Sequence, residues 1–202
     1  MRIGAIGAAA LLLAACHKKE EPKIVVPDVF RVKFQTSQGV FVVEAYKAWA
    51  PHGVDRFHEL VRIKYFDQGR FFRVVPGFIA QFGVHRNFNM HEKWRTMFIA
   101  DDPPREKNLR GTLAFAKSDA GTRATEIFIN LADNKALDDQ AFVPFAKVIQ
   151  GMDVVDKFYS GYGEMRPEGK YIDPNRVEGE ANEYLTQRFP KLDYIIHADF
   201  VP

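Results

Sequence analysis

The chain has 202 residues, 47% of them hydrophobic and 27% charged, with a formal net charge of +2 at pH 7. That is the balance of one globular domain, and charge this small and scattered does not recommend nucleic acid as a partner. Eighteen phenylalanines supply a large aromatic core, and a single cysteine excludes an internal disulfide.

The first residues, MRIGAIGAAALLLAAC, carry Arg2 and then an unbroken apolar run over 3–15. Thirteen residues are too few to span a bilayer, which takes about 20, and the run reads as the apolar part of a secretory signal peptide over 1–15. A buried N-terminal helix is the alternative. Leu13-Ala14-Ala15-Cys16 resembles a bacterial lipoprotein cleavage site, which implies lipidation of Cys16. The alternatives there are a free thiol or an intermolecular disulfide. His17, where an aspartate would favour the inner membrane, points to an outer-membrane anchor facing the periplasm. Residues 17–28, HKKEEPKIVVPD, read as a tether that reaches about 40 Å when extended.

From residue 29 onward one domain is expected. FRVKFQT (30–36) alternates apolar and polar residues, Ser37-Gln38-Gly39 turns the chain, and VFVVEAY (40–46) returns as the second half of a hairpin. WAPHGVDRFHELVRIKYF reads as a helix, with Pro51 in its first turn and Val54, Phe57, Leu60, Val61 and Tyr65 on one stripe. FFRVVPGFIAQFG (71–83) reads as two short strands hinged at Pro76-Gly77, with alternation placing Phe71, Arg73 and Val75 on one face. Residues 84–110 read as irregular. His52, His58, His85 and His91 have no spacing that suggests a metal site, and Asp101-Asp102 reads as part of a turn rather than a calcium loop. GTLAFAK (111–117), EIFINLA (126–132), FVPFAKVI (142–149) and LDYIIHADFV (192–201) are further strands. MDVVDKFYSG opens a short helix, 161–175 is a loop, and VEGEANEYLTQRF (177–189) reads as a helix stopped by Pro190. Eight short strands with turns between them predict a mainly β fold, a closed eight-stranded antiparallel β-barrel capped by α-helices. Its interior would be filled with side chains, so a ligand site would lie on its outer surface.

FDQGRFFRVVPGFIAQFG resembles the cyclophilin signature. The resemblance continues, in order and spacing, through RGTLAFAKS (110–118), TEIFINLADN (125–134) and LDDQAFVPFAKVIQGMDVVDK (137–157), with 161–189 as an elaboration. It implies peptidyl-prolyl cis–trans isomerase activity on Xaa-Pro bonds, with no cofactor and no metal. Arg73 and Gln81 would carry catalysis. Phe78, Ile79, Phe128 and Leu137 would line a slot for the proline ring, with Phe142 at its edge. The backbone of 114–117, including Ala116 and Lys117, would pair with the substrate, and Thr122 would shape the groove. The expected partners are proline-containing polypeptides, reached by a monomer.

Four positions depart from the pattern. Glu126 stands where glutamine is common, close enough to pair with Arg73 and either orient or quench it. Ala136 replaces a large aromatic residue, which would open the slot. Phe142 replaces a histidine or tyrosine, with a one-residue slip nearby. Phe82 replaces a glycine, requiring a different backbone or a ring turned inward. An active isomerase assisting exported proteins is the favoured reading. The alternatives are a proline-binding chaperone with little turnover and an anchored scaffold.

Overall fold

A computed structural model of the chain describes residues 25–167 and 170–202, so Cys16, the apolar run and most of the tether lie outside it. Strands β1 (Val29–Thr36) and β2 (Gly39–Tyr46) form the expected hairpin in antiparallel register from Val29↔Tyr46 to Thr36↔Gly39. Helix α1 (Pro51–Arg62) follows, then β3 (Arg73–Val75), β4 (Ile79–Phe82) and α2 (Phe88–Arg95). Next come β5 (Thr112–Phe115), β6 (Ile127–Asn130), α3 (Lys135–Asp139), β7 (Pro144–Gln150) and α4 (Met152–Val155). The chain ends with α5 (Pro174–Arg188) and β8 (Ile195–Val201). The strands make one eight-stranded sheet in the order β3-β4-β6-β5-β7-β2-β1-β8. Its two ends approach through the Arg70↔Tyr194 bridge and the Phe71 N–H to Asp193 carbonyl bond of 2.9 Å, so closure rests on short contacts beside β3 and β8.

The alternating residues of β1 and β2 send Val32, Phe34, Phe41, Val43 and Ala45 inward. There the phenylalanines fill the barrel. Phe34 stacks on Phe41 at 4.8 Å and Phe71 on Phe158 at 4.0 Å, while Phe57 meets Phe145 at 5.1 Å and Phe66 meets Phe82 at 5.3 Å. Such ring pairs add to the burial energy of large apolar surfaces. Phe82 therefore points into the core, one of the two outcomes its replacement of glycine allowed. Gly83 makes the tight approach that follows it: at φ +120, a Cβ there would lie 2.3 Å from the Thr125 carbonyl oxygen.

Three local expectations need correction, and one short helix lies where the sequence predicts no element. Phe71 does not share a face with Arg73. Regular strand begins only at Arg73, and the bond from Phe71 to Asp193 holds the Phe71 ring in the main core while Phe72 packs against α5. Residues 84–110 contain α2, capped by the Asn87 side chain, which accepts the Met90 N–H at 3.1 Å. Residues 135–139 form α3. The C-terminal helix starts three residues early, at Pro174 behind the Asp173 cap, and is broken at Ala181, where φ is 51. Both parts of α5 pack Val177, Ala181, Tyr184 and Leu185 onto Phe72, Val84 and Ile172, forming a second core.

Asp102 ties the loop after α2 to the start of α1. Its carboxylate accepts the N–H groups of His52 and Gly53, both at 2.9 Å, and takes both terminal nitrogens of Arg123 at 3.1 Å. Both side chains are sealed, at 0% and 2% exposure, so losing Asp102 would take the acceptor from the His52 and Gly53 N–H groups and leave the buried Arg123 with Asp101, at 3.1 Å, as its remaining carboxylate. Removing one partner of a buried pair costs about 3–5 kcal/mol. Asp102→Ala is expected to lower the urea unfolding free energy by about that amount, and a loss below about 1 kcal/mol would contradict this role.

Candidate active site

A cation and an amide stand in an apolar hairpin because the sheet has two faces there. On β4 and β6, Ala80, Phe82, Ile127 and Ile129 point into the barrel, while Ile79, Gln81 and Phe128 point out. The register aligns the outward residues across four strands: Arg73 pairs with Gln81, Gln81 with Phe128, and Phe128 with Ala114. Strand alternation turns this row into one surface, and it floors an open cavity of about 400 Å³.

Arg73, Phe78, Ile79, Gln81, Ala116, Lys117, Thr122, Glu126, Phe128, Leu137 and Phe142 all line that cavity. Ile79, Ala114, Phe128 and Leu137 form a small buried cluster, with Phe78, Ala116 and Phe142 packed on its edge. Phe142 meets Phe128 edge to face at 5.6 Å, and the Lys117 ammonium lies 5.6 Å from the Phe142 ring centre. Just before Phe142, Ala141 takes a left-handed conformation (φ 54), and the Phe142 N–H bonds the Leu137 carbonyl at 3.0 Å. Ala136 is exposed and does not line the cavity, so it does not set the width of the slot. Thr122 acts on its own loop: its hydroxyl accepts the Asp119 N–H at 3.0 Å and donates to the Asp119 carbonyl at 2.8 Å.

Of the residues expected to pair with substrate, 114–117, Ala114 has no free edge. Ala114 is paired on both sides, with Phe128 on β6 and Pro144 on β7. Beyond it, Phe115 at the end of β5 and residues 116–117 have no ladder partner on the β7 side among the described residues, while the Ala116 N–H is held by the Glu126 carbonyl at 2.9 Å. Pro144 opens β7, and proline has no N–H with which to continue the ladder.

The polar wall is a chain of four side chains. Arg73 donates from Nη1 to Gln81 Oε1 at 3.1 Å, and Gln81 donates from Nε2 to Glu126 Oε2 at 2.7 Å. Arg73 also lies 5.6 Å from the Phe78 ring centre. Glu126 thus touches Gln81, and the acid that pairs with Arg73 is Glu164, from the loop after α4, whose carboxylate takes both Nε and Nη2, the latter at 2.8 Å. Burial pushes the Glu164 carboxyl up, but the hydrogen bond and charge of Arg73 outweigh it and leave the pKa lowered. Glu126 goes the other way. Loss of water pushes its pKa up, with the Gln81 bond opposing and Glu178 adding to the rise.

Beyond Glu126 the cavity continues under α2, bounded by His91, Arg95, Thr96, Phe98, Thr125, Met165 and Glu178. Burial lowers the His91 pKa to about 4, so its ring is neutral at pH 7, and neither ring nitrogen has a hydrogen-bond partner among the described residues. Sequence reasoning missed this half. For His91 and Arg95 the signal was present as an Asn cap followed by one helical face. For Glu164 and Glu178 it was absent, because contacts spanning more than 80 residues leave no local pattern.

Residues 31–176 match the family described as cyclophilin-type peptidyl-prolyl cis-trans isomerase/CLD. The chain is 37% identical over 132 residues to a peptidyl-prolyl cis-trans isomerase of Acinetobacter baylyi, covering 62% of this chain and 70% of that one. It is 35% identical over 135 residues to peptidyl-prolyl cis-trans isomerase B of Escherichia coli, covering 62% and 82%. Its fold is similar to the crystal structure of a cyclophilin-type isomerase from Cryptosporidium parvum, with TM-score 0.61 at 18% identity over 86% of this chain and 98% of that one. A structure of that protein obtained in the presence of the dipeptide Ala-Pro gives a TM-score of 0.58 at 18% identity, covering 85% of this chain and 99% of that one.

A raised folded pKa at Glu126 means its stabilising contribution is complete below the unfolded carboxylate value of about 4.3 and is lost as pH rises through the folded value. Glu126→Gln removes that loss and keeps an acceptor for Gln81. The variant is expected to melt a few degrees above the parent at pH 7, with the gap closing towards pH 4. A gap that does not change with pH would contradict the assignment.

Proposed function

The chain belongs to the cyclophilin-type peptidyl-prolyl cis-trans isomerases, and we propose that it turns Xaa-Pro bonds in the cavity on the outer face of β3, β4, β6 and β5, with Arg73 as the charged group. The observation that carries this reading is the guanidinium beside an apolar slot, in register with Gln81 and Phe128. Rotation about a peptide bond meets a barrier of about 18–20 kcal/mol, because the nitrogen lone pair is shared with the carbonyl. Xaa-Pro isomers are close in energy, yet they exchange over tens to hundreds of seconds. No bond is broken, so no nucleophile is needed.

The required help is localisation of the lone pair on the prolyl nitrogen. As the bond twists, that nitrogen becomes pyramidal and a better acceptor. A guanidinium N–H aimed at it therefore binds the twisted state more tightly than the planar one, which is how binding energy becomes rate. Arginine suits this role through its permanent charge and fixed donors. The proline ring would seat against Phe78, Ile79, Phe128 and Leu137, where exclusion of water strengthens the arginine's field. The substrate backbone would lie along residues 115–117, gaining main-chain hydrogen bonds with little demand on sequence. An acceleration of ~10⁵ would need about 7 kcal/mol of preference for the twisted state.

The clients in this reading are exported proteins, and the enzyme works as a monomer on a lipid-anchored tether of the outer membrane facing the periplasm. What supports it is the apolar run over 3–15, the Leu-Ala-Ala-Cys context of Cys16 and the charged stretch after it.

Two measurements test the parts separately. Isomerisation of short Xaa-Pro peptides is expected to fall about 10²-fold or more in Arg73→Ala, as when one charge-stabilising donor is removed, with Arg73→Lys between the two. Equally negligible rates in parent and variant would leave a proline-binding module. Cys16→Ser in the full chain is expected to move the protein from the membrane fraction to the soluble one, and unchanged attachment would remove the anchor.

A further inference from the structure

We propose that Glu164, on the elaboration loop, is a positioning residue that sets the plane of the Arg73 guanidinium; this rests on the reading of Arg73 as the catalytic group. Arginine carries five N–H donors in a rigid fork. The Glu164 carboxylate takes Nε–H and one Nη2–H, and Gln81 Oε1 takes one Nη1–H. One N–H is left on each terminal nitrogen. A bidentate carboxylate fixes a guanidinium in plane as well as in place. With Gln81 on a third donor the group cannot swivel, so the direction of the two free N–H groups is set before a peptide arrives. Arg73 lines the cavity, whereas Glu164 does not, so the carboxylate holds the guanidinium from outside the space a substrate would fill.

Glu164 is itself held. Its Oε1 accepts the N–H of Met165 at 3.0 Å, and Arg166 N–H bonds the Ile172 carbonyl at 3.0 Å. Tyr162 and Met165 pack on the core built by α5 and Phe72, with Tyr162 edge-on to Phe189 at 4.9 Å. The residue next to Arg73 in the chain, Phe72, belongs to that same core. One packed unit therefore supports both partners of the ion pair, which gives the elaboration a role in the reaction.

The exposure of the pair indicates orientation rather than stability. Arg73 is 22% exposed and Glu164 43%, and ion pairs this open to water contribute little to folding. Glu164 can therefore be changed without loss of the fold.

The test compares the full chain with Glu164→Gln, Glu164→Asp and Arg73→Ala in saturation kinetics on a short Xaa-Pro peptide, with melting temperatures measured alongside. Glu164→Gln is expected to lower kcat about 10-fold with KM changed less than about twofold, since a slightly misplaced group costs turnover rather than binding. Glu164→Asp should recover most of the rate. By nitrogen-15 NMR, the Arg73 Nε–H signal should be protected from solvent exchange in the parent and lose that protection in Glu164→Gln. If Glu164→Gln turns over as fast as the parent or faster while Arg73→Ala is slow, the positioning role is overturned. It is equally overturned by a loss carried by KM alone or matched by a fall in melting temperature. If the parent and Arg73→Ala turn over alike, the reading of Arg73 itself fails instead.

Discussion

Phenylalanine packed through the inside of the barrel leaves no room there for a peptide. Phe34, Phe41, Phe57, Phe66, Phe71, Phe82, Phe115 and Phe145 are sealed from solvent and in contact with one another. Protein interiors filled in this way are as dense as organic crystals, so recognition is forced onto the outer face of the sheet. On most of that face water is the neighbour. On β4, β6 and β5 it is instead a groove, because α2, α3 and the segment that carries Thr122 stand around it. Both faces of β4 are therefore buried, one in the core and the other under the site, and Ile79 and Gln81 face the groove for the same reason that Phe82 faces inward.

The groove joins an apolar floor to a polar wall whose members depend on one another. Gln81 accepts from Arg73 and donates to Glu126, so its amide orientation is determined by its two partners. Glu126 keeps the acceptor role that a glutamine in its place would also offer. Its cost is the burial of a charge, which shows in its raised pKa. Glu164 closes the other end of the chain. Carboxylates at both ends and one arginine between them leave the guanidinium partly neutralised but tightly aimed. For a reaction that needs a directed N–H rather than a large diffuse field, aim is the more useful property.

Much of this was legible from the chain. Alternation in 30–46 gives the hairpin, and the stripe of Val54, Phe57, Leu60 and Val61 gives α1, because both elements bury one face and repeat with their own period. The ordered motifs from Arg73 to Phe142 bring the expected side chains of Arg73, Phe78, Gln81, Phe128, Leu137 and Phe142 to one cavity, while Ala114 and Phe115 of the expected pairing segment do not line it. What stayed hidden has physical reasons. Helix α2 has only eight residues, so the face that carries His91 and Arg95 repeats just once after its Asn87 cap. Phe71 breaks the two-residue alternation because a distant backbone group, the Asp193 carbonyl, holds it. Glu164 sits in a stretch rich in glycine and proline that reads as a loop, and nothing within that stretch marks its partner 91 residues away.

The central claim is that the Arg73 fork addresses the prolyl bond while the ring occupies the slot. A crystal structure of the parent chain with a bound Ala-Pro-containing peptide tests it most directly. The predicted result is a proline ring against Phe78, Ile79, Phe128 and Leu137, with a terminal Arg73 nitrogen about 3 Å from the prolyl nitrogen or its adjoining carbonyl. A ring seated elsewhere, or an Arg73 fork turned away from the bound prolyl bond, would contradict it.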